Sequence, residues 1–334
     1  MNYLIFDDIY EAKEYWLSFE MSTPERYYQS YEFNMKCYEN RKTSISNIFR
    51  GNTACKFIVF FDGEECICIA PLIVDEHSNK AVRLLGHGTN AGVLDFIYRD
   101  SLDDEEIKSI LSIIASIFPG YTLDLIFVPE ESKIFPFLEV IETFENYMVS
   151  GSDYQSWFAE LSKKTRQNIR TAYNRMNSDG MTYSLEKNMK PNIDGSLLQE
   201  IDSLYQKRRQ AWGVHTSRLQ RIMRLRSGKR DIVYRTIADS FSGVVYRLMI
   251  NGRCAAFFAG YQFDSYIHVP RLAIDDTFGR YSPGMVLINE CLRQFEGRPF
   301  KFNLGRGSEG YKKNLNGRPS ISVRGTYSTD CAKR

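Results

Sequence analysis

The segment Leu272–Leu287, LAIDDTFGRYSPGMVL, carries the densest chemical signal in the chain. A strand pattern ends, a loop rich in Gly, Ser and Pro follows, and a helical pattern begins. Such a turn aims backbone N–H groups and a helix N-terminus at one point, where amides and the helix dipole together attract an anion. Gly279, Arg280, Ser282, Gly284 and Met285 are the candidate contacts. Pro283 sits at the helix start, where its missing N–H costs little, and Gly284 lets a ligand approach the backbone. His268 and Arg271 lie on the strand that feeds the loop. A histidine there is a candidate base because its ordinary pKa is near neutral; its other reading is a core side chain. Glu309 and Asp275 are rival carboxylates near the same cleft. In GHGTNAGVLDF, Asp95 and His87 are candidates for an acceptor cleft, with turn chemistry as the alternative.

These residues need elements to hold them. In the first half, helical patterns cover Ile9–Phe19 and Glu25–Tyr38. KFIVFFDGEECICIAPLIV reads as a hairpin about Asp62-Gly63. VRLLGHGTNAGVLDFIY reads as strand, loop, strand. Asp103–Ile117 is an amphipathic helix with an acidic first turn, and YTLDLIFVP is a strand ended by Pro129. A long helix then spans Asp153–Asn177, closed by Gly180. Its polar face carries Lys163, Lys164, Arg166, Arg170 and Arg175, of which the first four either bind phosphates or form a solvated face. A helix over Gly195–Trp212 and the basic stretch Arg218–Arg230 follow, then three antiparallel strands with turns at Asn251-Gly252 and Asp264-Ser265. Met285–Phe295 is a helix, PFKFNLG a strand, Glu309–Leu315 a short helix and SISVRGTYS the last strand. This order predicts an α+β (α/β) architecture with one mostly antiparallel mixed sheet per half, flanked by helices.

The chain has 334 residues, with 43% apolar and 25% charged, an ordinary globular composition. Residues 1–150 carry 12 Lys+Arg against 25 Asp+Glu, whereas residues 151–334 carry 31 against 16. The near-neutral total of +2 hides halves of −13 and +15. Two domains, 1–150 and 151–334, are expected, the second facing an anionic partner and the opposite charges also suiting an interface. The six cations between Arg218 and Arg230 come with few aromatic residues, so they suit a polyanion recognised by charge rather than by base stacking. The seven scattered cysteines suit a reducing cytosol rather than a disulfide framework. Their spacing gives no zinc pattern, so no metal is expected. No run of 18 apolar residues predicts a membrane span, and the acidic start lacks the features of a signal peptide.

The loop Leu272–Leu287 resembles the acyl-CoA loop of GNAT-fold acyltransferases, in which a strand leads through R/Q-x-x-G-x-G/A into a helix. Gly279, Ser282 and Gly284 stand at the three motif positions; of the motif glycines only the last is kept, and Arg280 stands beside the first. YSPGMVL followed by FNLGRGSEGYKKNL is similar to the "SPG … D-x-x-x-G-x-x-x-YK" pattern of the FemAB-like, CelD (BcsL)-type acetyltransferases. CIAPLIV, RLLGHGTNAGVLDF and WFAELSKKTRQNIRTAYNRMNSDGM also resemble that family, so the likeness spans roughly residues 50–325. It implies tandem GNAT-like domains, the first degenerate and the second holding the donor loop. By the same analogy Tyr311 is the general acid toward the leaving thiolate, and Lys312 polarises the acyl carbonyl. Arg306, Arg271, Lys163 and Arg166 join Asp95, His87 and Asp275 as substrate contacts. The family pattern has an acidic residue where this chain has Asn303.

The expected activity is a cytoplasmic acyl-CoA-dependent N-acyltransferase, with an acetyl or other short acyl group as cargo. Relatives imply an amino sugar on a nucleotide or lipid as acceptor, in polysaccharide or envelope synthesis. Two alternatives stand beside it. One is a FemABX-type aminoacyltransferase using aminoacyl-tRNA, although no sustained heptads for a tRNA-binding arm appear. The other is a non-catalytic GNAT-like binder of nucleic acid or another anion, favoured by the weakened glycine loop and Asn303. The donor carrier is thus CoA, an acyl carrier protein or tRNA, and the oligomeric state is left open.

Overall fold

The computed structural model describes residues 1–19, 23–42, 53–75, 80–89, 91–211 and 231–328. The basic cluster Arg218–Arg230 therefore lies outside the described residues. Those described divide into two compact units. One comprises residues 1–145, 231–232 and 320–328, and the other 146–211 and 233–319.

In the first unit β1 (Asn2–Phe6), β2 (Thr53–Asp62), β3 (Glu65–Asp75) and β4 (Ala81–Leu84) form an antiparallel meander in chain order. The β2–β3 turn is the expected hairpin, with Gly63 at φ 58°. The short β5 (Ile97–Tyr98) pairs with β3. Two helices precede β2, α1 (Lys13–Leu17) and α2 (Tyr31–Lys42), with a 3-10 turn at Pro24–Gln29. The crossover helix α3 (Asp104–Ile117) begins at a reciprocal capping box between Asp103 and Glu106. It delivers β6 (Thr122–Pro129) parallel to β4. The sheet is closed by β13 (Arg318–Tyr327), antiparallel to β6.

The second unit repeats this plan. Its meander is β8 (Tyr183–Met189), β9 (Gly243–Ile250), β10 (Arg253–Phe263) and β11 (Tyr266–Ile274). Helix α8 (Pro283–Arg293) crosses over to β12 (Phe300–Arg306), which runs parallel to β11. The closing strand is β7 (Glu139–Gly151), antiparallel to β12. Here the sixth strand enters before the meander, whereas the first unit takes its sixth strand from the far end of the chain. A second domain running unbroken to 334 is therefore not what the chain builds: SISVRGTYS returns to pair with β6.

One face of the second sheet packs under α4 (Tyr154–Glu160), α5 (Lys163–Ser178) and α8, through Trp157, Ile169, Met176, Leu287 and Leu292 against Tyr246, Phe258, Ile267 and Phe302. The other face meets α6 (Gly195–Ala211), whose Tyr205 and Glu200 bond Arg271 of β11 and Arg247 of β9. Helix α7 (Asp231–Asp239) leads into β9. The single helix expected over Asp153–Asn177 is two. Leu161 turns extended at ψ 149° to bury its side chain, and Ser162 then caps α5 by accepting from Thr165 N–H.

The feature that makes a site is in β11. Its pairing with β10 steps from Tyr261↔His268 to Ala259↔Arg271, so Val269 and Pro270 together oppose Gly260. Pro270 has no N–H for a ladder, and a β-carbon on Gly260 would lie 1.9 Å from the His268 carbonyl oxygen. The bulge bends β11 away. Its parallel pairing with β12 covers only Tyr266–His268 against Lys301–Asn303, although both strands continue.

Candidate functional site

Parallel strands that part at their carboxyl ends leave a crevice, the usual place for a ligand in such sheets. From β11 the chain passes through a 3-10 turn, Asp276–Tyr281, into α8; from β12 it passes into α9 (Gly310–Asn314). A cavity of about 330 Å³ lies against the helices that follow these strands, lined by Ser282 and Met285 from the start of α8 and by Tyr311 and Asn314 from α9. Thr165, Asn168, Thr171 and Arg175 complete it from α5. The lining holds one cation, several hydroxyl and amide groups and no carboxylate, a donor set suited to an anionic or neutral ligand.

The loop from β11 to α8 takes an unusual backbone. Ser282 is left-handed (φ 47°, ψ 54°) and begins α8 without its hydroxyl making a capping bond. Its carbonyl accepts from Met285 and Val286 N–H at 3.0 and 3.1 Å. Pro283 is the first helical residue, as expected. Gly284 packs closely, since a β-carbon there would lie 3.2 Å from Ile274. Gly279 has open space instead, so its motif position places no demand on glycine. Arg280, read as a phosphate contact, is occupied: its guanidinium holds Asp179 at 2.9 and 3.2 Å. The cation that lines the cavity is Arg175, which also donates to the Arg280 carbonyl at 3.0 Å.

Tyr311 lines the cavity, and burial together with the nearby Glu309 carboxylate holds its phenol pKa well above the ordinary value. The hydroxyl therefore stays protonated at neutral pH, as a general acid requires. Lys312 does something other than the expected polarising of an acyl carbonyl. Its ammonium is buried and donates to the carbonyls of Gly305 (3.2 Å), Arg306 (2.6 Å) and Gly307 (3.1 Å), with Glu309 at 2.9 Å. Gly305 and Gly307 have φ of 68° and 112°. Lys312 thus folds the β12–α9 turn around one charge and sets where Tyr311 stands.

His268 faces away from the cavity. Ile267 and Val269 belong to the core under α5 and α8, so by strand alternation His268 points to the α6 side. Burial, with Arg306 nearby, drives its pKa down to about 3. That removes the near-neutral basicity on which its expected role as base rested. Arg271 faces α6 too, stacked 4.5 Å over Tyr205. Asn303 accepts from Gly305 N–H at 2.8 Å and donates to Tyr266 at 3.1 Å, shaping the end of β12.

The remaining candidates do not converge on the cavity. Asp275 caps the 3-10 turn through Thr277, and Arg166 ties down the α4 carbonyls of Ala159 and Leu161 rather than a phosphate. Lys163 is exposed at the start of α5. Asp95 and His87 belong to the first unit. Asp95 accepts from Tyr98 (2.9 Å) and Phe96 N–H (2.8 Å), and burial raises its pKa to about 7. Burial beside Arg83 and Arg41 lowers His87 to about 4. Sequence reading missed Thr165, Asn168, Thr171, Asn314 and Arg175 as site residues. The signal was present in α5: positions 165, 168 and 175 return to one helical face. Among the described residues no group of three or more His, Cys, Asp or Glu could hold a metal ion.

Comparison with known proteins fits this geometry. Residues 163–313 match the family model of the acetyltransferase (GNAT) domain, a span from α5 into α9 that contains the whole cavity lining but Asn314. No curated protein matches the chain. Among solved structures it is similar to FemX, with TM-score 0.61 and 10% identity over 98% of this chain and 96% of that one. It is also similar to a conserved protein of unknown function from Bacteroides thetaiotaomicron VPI-5482 (TM-score 0.55, 13% identity, 96% and 99% covered). A third is the C-terminal domain (DUF2156) assigned to a lysylphosphatidylglycerol synthetase of Agrobacterium fabrum (TM-score 0.53, 12% identity, 90% and 93% covered). What is shared with these structures at such identities is the fold, a mixed sheet flanked by helices.

Proposed function

We propose that the chain is an N-acyltransferase that takes an acetyl or other short acyl group from acyl-CoA and passes it to an amine. The observation that carries this reading is the cavity between α5, the start of α8 and α9, lined by Ser282, Tyr311 and Arg175 and free of carboxylates. An acyl-CoA fits that donor set: Arg175 and the start of α8 would meet its negative charge. The amine nitrogen attacks the thioester carbonyl, the C–S bond breaks, and the Tyr311 hydroxyl protonates the departing sulfur. Glu309, exposed and near enough to raise the Tyr311 pKa, takes the amine proton. Lys312 acts by holding the turn. The CelD-type motif run supports an amino sugar on a nucleotide or lipid carrier as acceptor, and a cytoplasmic setting. No helix among the described residues is long and apolar enough to cross a membrane.

The test is direct. Acetyl-CoA raises the melting temperature by mass action if the cavity binds it; no shift at millimolar CoA sinks the donor. The likeness to FemX favours one other reading, aminoacyl transfer from aminoacyl-tRNA. Total-tRNA binding that survives moderate salt, together with no response to CoA, would select it, because purely electrostatic association weakens steeply with salt.

A further inference from the structure

The loop from β11 to α8 carries three charged side chains, and each has an opposite charge against it. Asp275 faces Arg253 at 3.5 Å, Asp276 pairs with Arg208 of α6, and Arg280 grips Asp179 through two nitrogens. The last pair has an odd location. Asp179 is the C-cap residue of α5, where a carboxylate opposes the helix dipole and does the helix no service. What it gains comes from the loop: the Tyr281 hydroxyl donates to it at 2.8 Å beside the two Arg280 contacts. Those two residues immediately precede Ser282, whose left-handed backbone is costly for a residue with a β-carbon and persists only if its surroundings hold it.

We propose that Asp179 is a positioning residue, a latch that holds Arg280 and Tyr281 so that Ser282 and the first turn of α8 keep their place at the cavity. The latch also removes Arg280 from ligand binding and leaves that task to Arg175, one helical turn before Asp179 on the same helix. This inference rests on the reading of the cavity as the donor site, but the loop can be tested without any donor.

Amide hydrogen exchange on the full-length, ligand-free protein compares the wild type with Asp179→Asn and Asp179→Glu. In Asp179→Asn, exchange at Ser282, Met285 and Val286 quickens about three- to fivefold, the range an exposed but bidentate ion pair supports, while β9 and β10 amides are unchanged. Asp179→Glu restores part of the protection. Calorimetric titration with CoA then gives a dissociation constant raised in the same order of variants. Unchanged exchange in Asp179→Asn overturns the latch, even if CoA binding weakens, because Asp179 would then act on the ligand directly. If the wild type binds no CoA while Asp179→Asn still loosens these amides, the latch stands and the CoA reading falls.

Discussion

Replacing Lys312 by Met separates a scaffold role from a chemical one. The side chain is 2% exposed, and its ammonium is the donor to three consecutive carbonyls at 2.6–3.2 Å. A hydrogen bond to a charged group contributes about 1.5–3 kcal/mol, and removing one partner from a buried charged set costs about 3–5 kcal/mol. The three bonds share one cation and do not add. Glu309 is half exposed and contributes little. Against the loss stands the desolvation already borne by the ammonium, which lowers the Lys312 pKa, so the net expected loss is about 3 kcal/mol. Urea unfolding followed by tryptophan fluorescence reads it, because the Trp157 indole donates to the Leu315 carbonyl just after α9. Transfer activity falls as well, through a displaced Tyr311. A stability change under about 1 kcal/mol combined with complete loss of activity would refute this account. The ammonium would then be acting on the substrate rather than on the turn.

Tyr311→Phe removes the proposed acid and should lower kcat about 100-fold or more with little change in donor KM; a variant with full activity removes Tyr311 from the chemistry. Ser282→Gly relieves the left-handed strain and should raise the unfolding free energy by roughly 0.5–1 kcal/mol, read as a shift in urea midpoint. Asp95 has a folded pKa of about 7, above its unfolded value, so the folded state holds more protons below pH 7 and stability falls as pH rises toward 7. Asp95→Asn should abolish that slope, which reaches at most about 1.4 kcal/mol per pH unit. His268 has the opposite sign. Its folded pKa of about 3 lies below the unfolded value, so its contribution is complete above about pH 6.5 and is lost as the pH falls toward 3. His268→Gln should remove this acid-side loss in pH-dependent unfolding.

Much of the fold was legible because local chemistry decided it. The Asp62-Gly63 and Asn251-Gly252 hairpins, the Asp103 capping box and the Pro283 helix start each declare themselves within a few residues. Three strands were missed for a physical reason: Asn2–Phe6 is short and exposed along nearly its whole length, so it shows no buried face. Glu139–Gly151 and Tyr183–Met189 are rich in exposed polar residues, so neither shows the apolar alternation that marks a half-buried strand. The break at Leu161–Ser162 was hidden because both halves keep helical spacing, and the buried leucine that turns the chain resembles any core position.

The site was legible in its backbone and obscure in its side chains. A glycine and proline loop ahead of a helix points to an anion site whatever its side chains do, and Ser282, Met285 and Tyr311 do meet at one cavity. What sequence cannot give is which charge is already taken. Arg280 and Arg175 look alike along the chain, yet one is held by Asp179 and the other lines the cavity. Lys312 next to Tyr311 reads as a catalytic pair, but the two glycines with positive φ ahead of it turn three carbonyls onto its ammonium. His268 reads as a base until strand parity sends it to the α6 face and burial takes its proton affinity away. In each case the deciding partner lies close in space, from Asp179, 101 residues before Arg280, to Gly305, seven before Lys312, and only the folded chain says which neighbour each charge has.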